Sequence, residues 1–369
     1  MRSFKYTTLT LAVLALLSAN CKQKPEVTLT VWHAWKGADA QVLDSIATDY
    51  QRQNGVTVQL VEFDTPKALL EGLLQGDKKP DAFIGYHTWA GDLLAKGLIG
   101  AYCDPDLGQC SECNVPNPPR WCQYASGNFT YRAIGDFLMK VGYCEPDQCP
   151  ACFRDNPPPW CRLASQDFGI TIDVLQASMA AVSKNNKVFP YGIPVWWEYV
   201  GIFANPDKLA EHGLAIPKNL SELSEVLRID NRVYYESTFF ARTGLALPGA
   251  IAGADPQPAP SIPGILVASS DHFTNLQKEV SQLTLLELQD YRPELLVHGV
   301  YLHSSTAKRV QALDFMYFLT DYEAQISLFK GTGHFPANGV AIPLDPIPVK
   351  LMQFGKKGLL SGAMTRPGI

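Results

Sequence analysis

The sequence has few charged residues, and it lacks any dense cluster of lysine and arginine. Charged residues make up 18% of the 369 positions, and 31 basic against 36 acidic side chains give a net charge of -5. A nucleic-acid-binding domain ordinarily carries a concentrated basic surface, so this composition excludes nucleic acid as a partner. Hydrophobic residues make up 46% of the chain, which excludes disorder for most of it.

Long apolar runs and catalytic motifs are also missing. Beyond the N-terminus, no apolar run reaches the ~18 residues that a membrane-spanning helix needs. The sequence contains no G-x-S-x-G, no H-E-x-x-H and no paired-acid motif. No short spacing such as H-x3-H joins His33, His87 or His334 into a metal-binding motif. We therefore predict a protein that is not an enzyme and that needs no cofactor and no metal.

The N-terminus has the organisation of a secretory signal peptide. Arg2 and Lys5 precede the unbroken apolar run Leu9–Leu17, and small residues lead to Cys21. A buried N-terminal helix is the alternative, but such a helix would not place all its basic charge ahead of a uniformly apolar stretch. Cys21 resembles the lipid-modified cysteine of bacterial lipoproteins. The sequence thus predicts an exported protein, anchored by lipid at Cys21 to the outer face of the cytoplasmic membrane or free in the periplasm.

The other eight cysteines form two repeated blocks within residues 102–162. Each block reads Tyr-Cys, then Cys-x-x-Cys-x8-Cys, and closes with a Pro-rich segment and a tryptophan. Three of the four cysteines recur 39 residues later, which indicates an internal duplication. The cysteines are Cys103, Cys110, Cys113, Cys122, Cys144, Cys149, Cys152 and Cys161.

Either two disulfides or a tetrathiolate metal site would use four cysteines per block. Thiols oxidise outside the cytoplasm, and small modules with little core are commonly held by disulfides, so we favour disulfides. Spacing leaves three possible pairings open in each block.

Strand and helix patterns alternate along the first hundred residues. Alternating apolar and polar residues, rich in β-forming types, indicate the strands, and apolar residues three and four positions apart indicate the helices. Strand–helix alternation of this kind predicts a parallel sheet covered by helices. Further on, Tyr191–Phe203 and Leu296–His303 read as strands, and Ser305 is placed to cap a helix over Ala307–Thr320. The first three strands are predicted at Val27–Trp32, Val56–Phe63 and Asp81–Gly85, with helices at Ala40–Gln53, Lys67–Leu74 and Trp89–Lys96.

Four stretches resemble the family 1 extracellular solute-binding proteins of bacterial ABC importers, the group that contains the maltose-binding protein. These stretches are LTVWHAWKGAD at Leu29–Asp39, Gly76–Tyr102, Tyr191–Pro217 with its Tyr-Gly-Ile-Pro segment, and Leu313–Pro336 with its Gly-x-x-Pro loop. The chain departs from the family by its Cys-rich insert and by a shorter region between Leu227 and Leu296.

The resemblance implies an α/β fold of two lobes with a central cleft, to which the duplicated Cys-rich module is added. Residues 27–189, including the insert, and 296–330 would form lobe 1; residues 190–295 and 331–369 would form lobe 2. A ligand that touches both lobes would favour the closed form.

A sugar site needs aromatic rings for stacking and polar groups for the hydroxyls. Such residues cluster at predicted strand ends, where open α/β sheets bind ligands, and His334 lies in the late loop. The predicted ligand-binding residues are Trp32, His33, Trp35, Glu62, Tyr86, His87, Trp89, Trp196, Trp197, Glu198 and Phe335.

We therefore expect a monomeric, lipid-anchored solute-binding protein that delivers a sugar or oligosaccharide to the membrane subunits of an ABC importer. Two alternatives remain open from the sequence. One is a surface protein that uses the Cys module for docking, and the other is a binder of a non-sugar solute on the same fold.

Overall fold

A computed structural model of the chain describes residues 27–100, 116, 182–184, 187–189, 191–229, 232–235, 255–257, 264–270, 282–337, 351, 354–355 and 359–360. The predicted signal peptide, Cys21 and all eight cysteines of the repeated blocks lie outside these residues.

The described residues form thirteen strands and seven α-helices. The strands are β1 (Val27–His33), β2 (Val56–Glu62), β3 (Ala82–Tyr86), β4 (Val182–Lys184), β5 (Lys187–Phe189), β6 (Gly192–Ala204), β7 (Arg232–Tyr235), β8 (Asp255–Gln257), β9 (Ile265–Ser269), β10 (Thr284–Leu285), β11 (Glu294–Leu302), β12 (Phe335–Pro336) and β13 (Leu359–Leu360). The helices are α1 (Ala38–Asn54), α2 (Pro66–Gln75), α3 (Ala90–Ala95), α4 (Pro206–Glu211), α5 (Leu220–Ile229), α6 (Arg309–Phe318) and α7 (Tyr322–Thr332).

One large sheet joins most of the strands, in the order β2-β1-β3-β11-β6-β9-β7-β8. Strands β2, β1 and β3 run parallel, as the strand–helix alternation predicts. At the centre, β11 is antiparallel to both β3 and β6. The 13-residue strand β6 pairs with β11 and then with β9, so it runs through the middle of the sheet.

Local sequence signals account for the first helices. Apolar residues of α1 recur at helical spacing and are buried, and the helix ends at Gly55, whose φ of 66° is readily adopted only by glycine. Thr65 caps α2 by accepting a hydrogen bond from the backbone N–H of Ala68, and Pro66 occupies the first helical position.

The predicted cap at Ser305 is wrong. Helix α6 begins at Arg309, after Lys308, with no side-chain cap. The backbone N–H of Ser305 donates to Nδ1 of His303, and the hydroxyl lies 2.9 Å from the same nitrogen. A local turn thus uses Ser305, and the helix starts later than its sequence pattern indicates.

The two faces of the sheet are packed differently. On the face that we call the continuous face, one core runs along the sheet and contains Trp32, Phe83, Trp197, Tyr301 and Leu266 together with residues of α2 and α3. On the other, the split face, there are two separate cores. One lies under α1, α6 and α7, and the other lies under α4 and α5. Within the described residues, no helix is both long and apolar enough to cross a membrane.

Candidate functional site

The boundary between the two cores of the split face is marked by two buried polar residues. On β6, Glu198 lies between Trp196 of the first core and Val200 of the second. On β11, His298 occupies the same intermediate position. These polar side chains therefore lie on the split face between the layer of α1, α6 and α7 and the layer of α4 and α5.

Glu198 and His298 contact each other across the two strands. Oε1 of Glu198 lies 2.8 Å from Nε2 of His298, and the side chains are 0% and 4% exposed. Burial of a carboxylate is costly unless it is paired, and this contact supplies one partner. The pair links β6 to β11 at the centre of the sheet.

Aromatic rings surround this pair. The indole of Trp196 stacks on that of Trp35, with centroids 3.9 Å apart. The ring of His334 lies 3.9 Å from Trp196, and that of His298 lies 4.6 Å away. Tyr86 contacts His298 edge-on at 4.7 Å. Three ring contacts thus fix the orientation of the Trp196 indole.

A second histidine–carboxylate contact lies at the start of α1. Nε2 of His334 is 3.2 Å from Oδ1 of Asp39, and the histidine is buried while the aspartate is partly exposed. Together these residues form what we call the central polar cluster: Trp35, Asp39, Tyr86, Trp196, Glu198, His298 and His334.

Trp89 borders the cluster, where it is half-buried and packs both against the core of the continuous face and against the core under α4 and α5. Its ring meets Tyr86 edge-on at 5.1 Å. A Cβ atom at Gly85 would lie 2.7 Å from the Trp89 ring, so the close approach of this ring requires glycine at that position. Trp89 is the most accessible of the predicted tryptophans that the structure describes.

His33 lies at the carboxyl end of β1, on the same side of that strand as Val31. Burial lowers the pKa of His33, and the negative charge of Glu62 opposes that shift. Its Nδ1 has no hydrogen-bond partner within the described part of the chain. Glu62 is exposed and lies 2.5 Å from the ammonium group of Lys36, whose hydrogen bond lowers the pKa of Glu62.

The remaining predicted residues lie elsewhere. Trp32, Trp197 and Phe335 are buried in the core of the continuous face, where Trp32 contacts Phe63 and Trp197 contacts Phe335. His87 is buried and its Nδ1 accepts a hydrogen bond from the backbone N–H of Val297. These contacts give all four residues a packing role, and their contact with a ligand stays a prediction.

Sequence reasoning did not identify His298 or Asp39. His298 is a lone histidine in the apolar strand ELLVHGVYL, and a polar residue inside such a run is a signal that could have found it. Asp39 resembles any acidic residue in the first turn of a helix, so the sequence gives it no distinguishing mark.

The cluster offers hydrogen-bonding groups and aromatic rings. Among the residues that the structure describes, no group of three or more His, Cys, Asp or Glu side chains could hold a metal ion. Carboxylates, imidazoles and an indole N–H beside aromatic rings are the groups that bind polar organic solutes.

Comparison with known proteins identifies the fold. No protein-family model and no curated protein sequence matches the chain. Among solved structures, the maltose-maltodextrin binding protein of Alicyclobacillus acidocaldarius matches with a TM-score of 0.56 and 14% identity, covering 92% of this chain and 90% of that one. The GacH receptor of Streptomyces glaucescens, solved with acarbose, matches at 0.55 and 11% identity, covering 94% and 90%.

A third match is the spermidine/putrescine ABC transporter substrate-binding protein of Streptococcus pneumoniae, with a TM-score of 0.53, 12% identity and coverage of 89% and 92%. The chain therefore has the two-lobed fold of periplasmic binding proteins, which confirms the predicted two-lobed architecture; the duplicated Cys-rich module lies outside the described residues and stays a prediction.

Proposed function

We propose that this chain is an extracytoplasmic solute-binding protein that delivers a carbohydrate to an ABC importer. The observation that carries the proposal is the position of the central polar cluster. It lies at the boundary between the helix layers of the split face, which is where two lobes can part around a ligand. The division also supports the predicted lobes, because α1, α6 and α7 fall in one and α4 and α5 in the other.

The chemistry of the cluster supports a sugar as the solute. Trp89 presents a half-buried ring that can stack on the apolar face of a sugar, and the buried polar groups nearby can bond its hydroxyls. Two of the structurally similar proteins are described with maltodextrin or acarbose.

A polyamine is the second candidate, and one observation favours it. The cluster contains two carboxylates, Glu198 and Asp39, beside several aromatic rings, which is also the chemistry that binds ammonium groups. A polyamine-binding protein is among the structurally similar ones.

Isothermal titration of the mature protein separates these candidates. We expect saturable binding of at least one sugar from a panel of glucose, maltose, maltotriose and raffinose, and no binding of spermidine. Trp89→Ala should weaken sugar binding about fivefold or more, since loss of an aromatic contact is worth roughly 1 kcal/mol. Tyr301→Phe, in the core of the continuous face, is the control and should leave the affinity unchanged. Binding of spermidine alone, or of no panel member, would contradict the proposal.

The lipid anchor at Cys21 is part of the same proposal and rests on the sequence. We expect the protein to sediment with membranes, and Cys21→Ala to release it to the soluble extracytoplasmic fraction. A wild-type protein found wholly in that soluble fraction would refute the anchor.

A further inference from the structure

Within the part of the chain that the structure describes, the central polar cluster contains a buried indole donor without an acceptor. The indole of Trp196 is fully buried on β6, and its Nε1 has no hydrogen-bond partner within the described residues. An indole nitrogen is a donor only, so an oxygen or another acceptor must approach it. Leaving a buried donor unsatisfied is costly, and natural structures rarely do so without a reason.

The surrounding rings keep this donor in place. Trp35 stacks on the indole, and His334 and His298 contact it as well. Because these contacts hold the ring, the N–H cannot easily turn away to find another acceptor. Its direction is therefore set before any ligand arrives, and a donor that is oriented in advance adds affinity at little entropic cost.

One oxygen of each carboxylate in the cluster already contacts a histidine. Oε1 of Glu198 contacts His298 at 2.8 Å, and Oδ1 of Asp39 contacts His334 at 3.2 Å. An ammonium group bound at either of these two oxygens would compete with an imidazole. It also carries three donors and no acceptor, so it cannot satisfy the indole of Trp196.

We propose that Nε1–H of Trp196 donates a hydrogen bond to an oxygen of the bound solute, and that this donor makes the site select hydroxyl-bearing solutes over polyamines. This inference rests on the proposed function and names the atom by which the site distinguishes the two candidate solute classes. A sugar hydroxyl or ring oxygen accepts the bond, whereas a polyamine leaves the buried donor unsatisfied.

The test is nuclear magnetic resonance of the full mature protein with ¹⁵N-labelled indole nitrogens. The Trp196 resonance is assigned through its contacts with Trp35, and Trp196→Phe provides a check by removing the signal. Saturation with the sugar of the panel that binds most tightly should move this resonance downfield, as hydrogen bonding does. Spermidine at the same concentration should leave it in place.

Affinities supply the second measurement. Trp196→Phe keeps an aromatic ring but removes the N–H, so sugar binding should weaken about fivefold to tenfold, the loss expected for one hydrogen bond. Tyr301→Phe is the matched control, since it also removes a buried polar group that has no hydrogen-bond partner within the described residues, but Tyr301 packs on the continuous face. Its affinity should stay within about twofold of wild type.

The outcomes distinguish the two proposals. If no sugar of the panel binds, the proposed function fails and this inference fails with it. If a sugar binds but the Trp196 resonance does not move, the solute-binding function stands and the inference alone is overturned. A downfield shift with spermidine would also overturn it. Should Trp196→Phe not fold, the resonance of the wild-type protein still decides.

Discussion

The contact between Glu198 and His298 predicts a strong energetic coupling between β6 and β11. Both side chains are buried and 2.8 Å apart, so each replacement leaves the other without this partner. Breaking a buried pair from one side typically costs about 3–5 kcal/mol of the free energy of unfolding. We expect this cost for Glu198→Leu and for His298→Leu separately.

The double variant Glu198→Leu/His298→Leu should lose much less free energy of unfolding than the two single variants lose together. Two leucines bury apolar surface and leave neither half of the pair behind, and such replacements of buried pairs are often close to neutral. We therefore expect a coupling free energy of at least about 2 kcal/mol, near the upper part of the range for contacting residues.

Urea unfolding, followed by tryptophan fluorescence and by far-UV circular dichroism, measures this coupling in a double-mutant cycle. The matched control is the exposed contact between Lys36 and Glu62, where replacement by alanine should reveal little coupling because solvent screens the charges. Additive effects at Glu198 and His298, within about 0.5 kcal/mol, would refute the coupling.

Three further predictions concern stability. Burial lowers the pKa values of His33 and His303 below 6.5, so at these two residues the unfolded chain binds more protons than the folded chain. Their contribution to the free energy of unfolding is therefore complete above about pH 6.5 and is lost as the pH falls. A thermal melting temperature that rises as the solution is acidified would contradict this. The carboxylate of Asp81 accepts three hydrogen bonds, one of them from Lys308. Asp81→Ala should therefore lower the free energy of unfolding, measured by urea titration, by about 2–4 kcal/mol. A loss below about 0.5 kcal/mol would be inconsistent with these bonds. Trp197→Ala leaves a cavity at a fully buried position and should lower the free energy of unfolding by about 3–5 kcal/mol in the same assay. A change close to zero would show that Trp197 does not stabilise the core of the continuous face.

The first part of the fold could be predicted from the sequence because its signals are local. Each element from β1 to β3 carries its own periodicity and its own ending residue, such as Gly55 after α1. Parallel pairing then follows from the helices between the strands. The predicted bounds of these elements differ from the observed ones by a few residues at most.

The antiparallel centre of the sheet could not be predicted in this way. Glu198 and His298 lie 100 residues apart, and no local pattern indicates which distant strands will pair. The register of β6 and β11 also shifts at His298 and Gly299, an irregularity that has no sequence signature.

The candidate site was predictable by residue type but not by position on the sheet. Trp196 and Trp197 are neighbours with the same chemistry, yet one lies in a core of the split face and the other in the core of the continuous face. Side chains alternate along a strand, so a shift of one residue exchanges the two roles. Only the pairing of the whole sheet decides which tryptophan faces the cluster.

The most direct test of the account is a crystal structure of the mature protein with its tightest-binding sugar. We expect the sugar to lie between the helix layers of the split face, against Trp89, with one oxygen within hydrogen-bond distance of Nε1 of Trp196. A sugar bound elsewhere on the protein, with the central polar cluster closed off from it, would contradict the account.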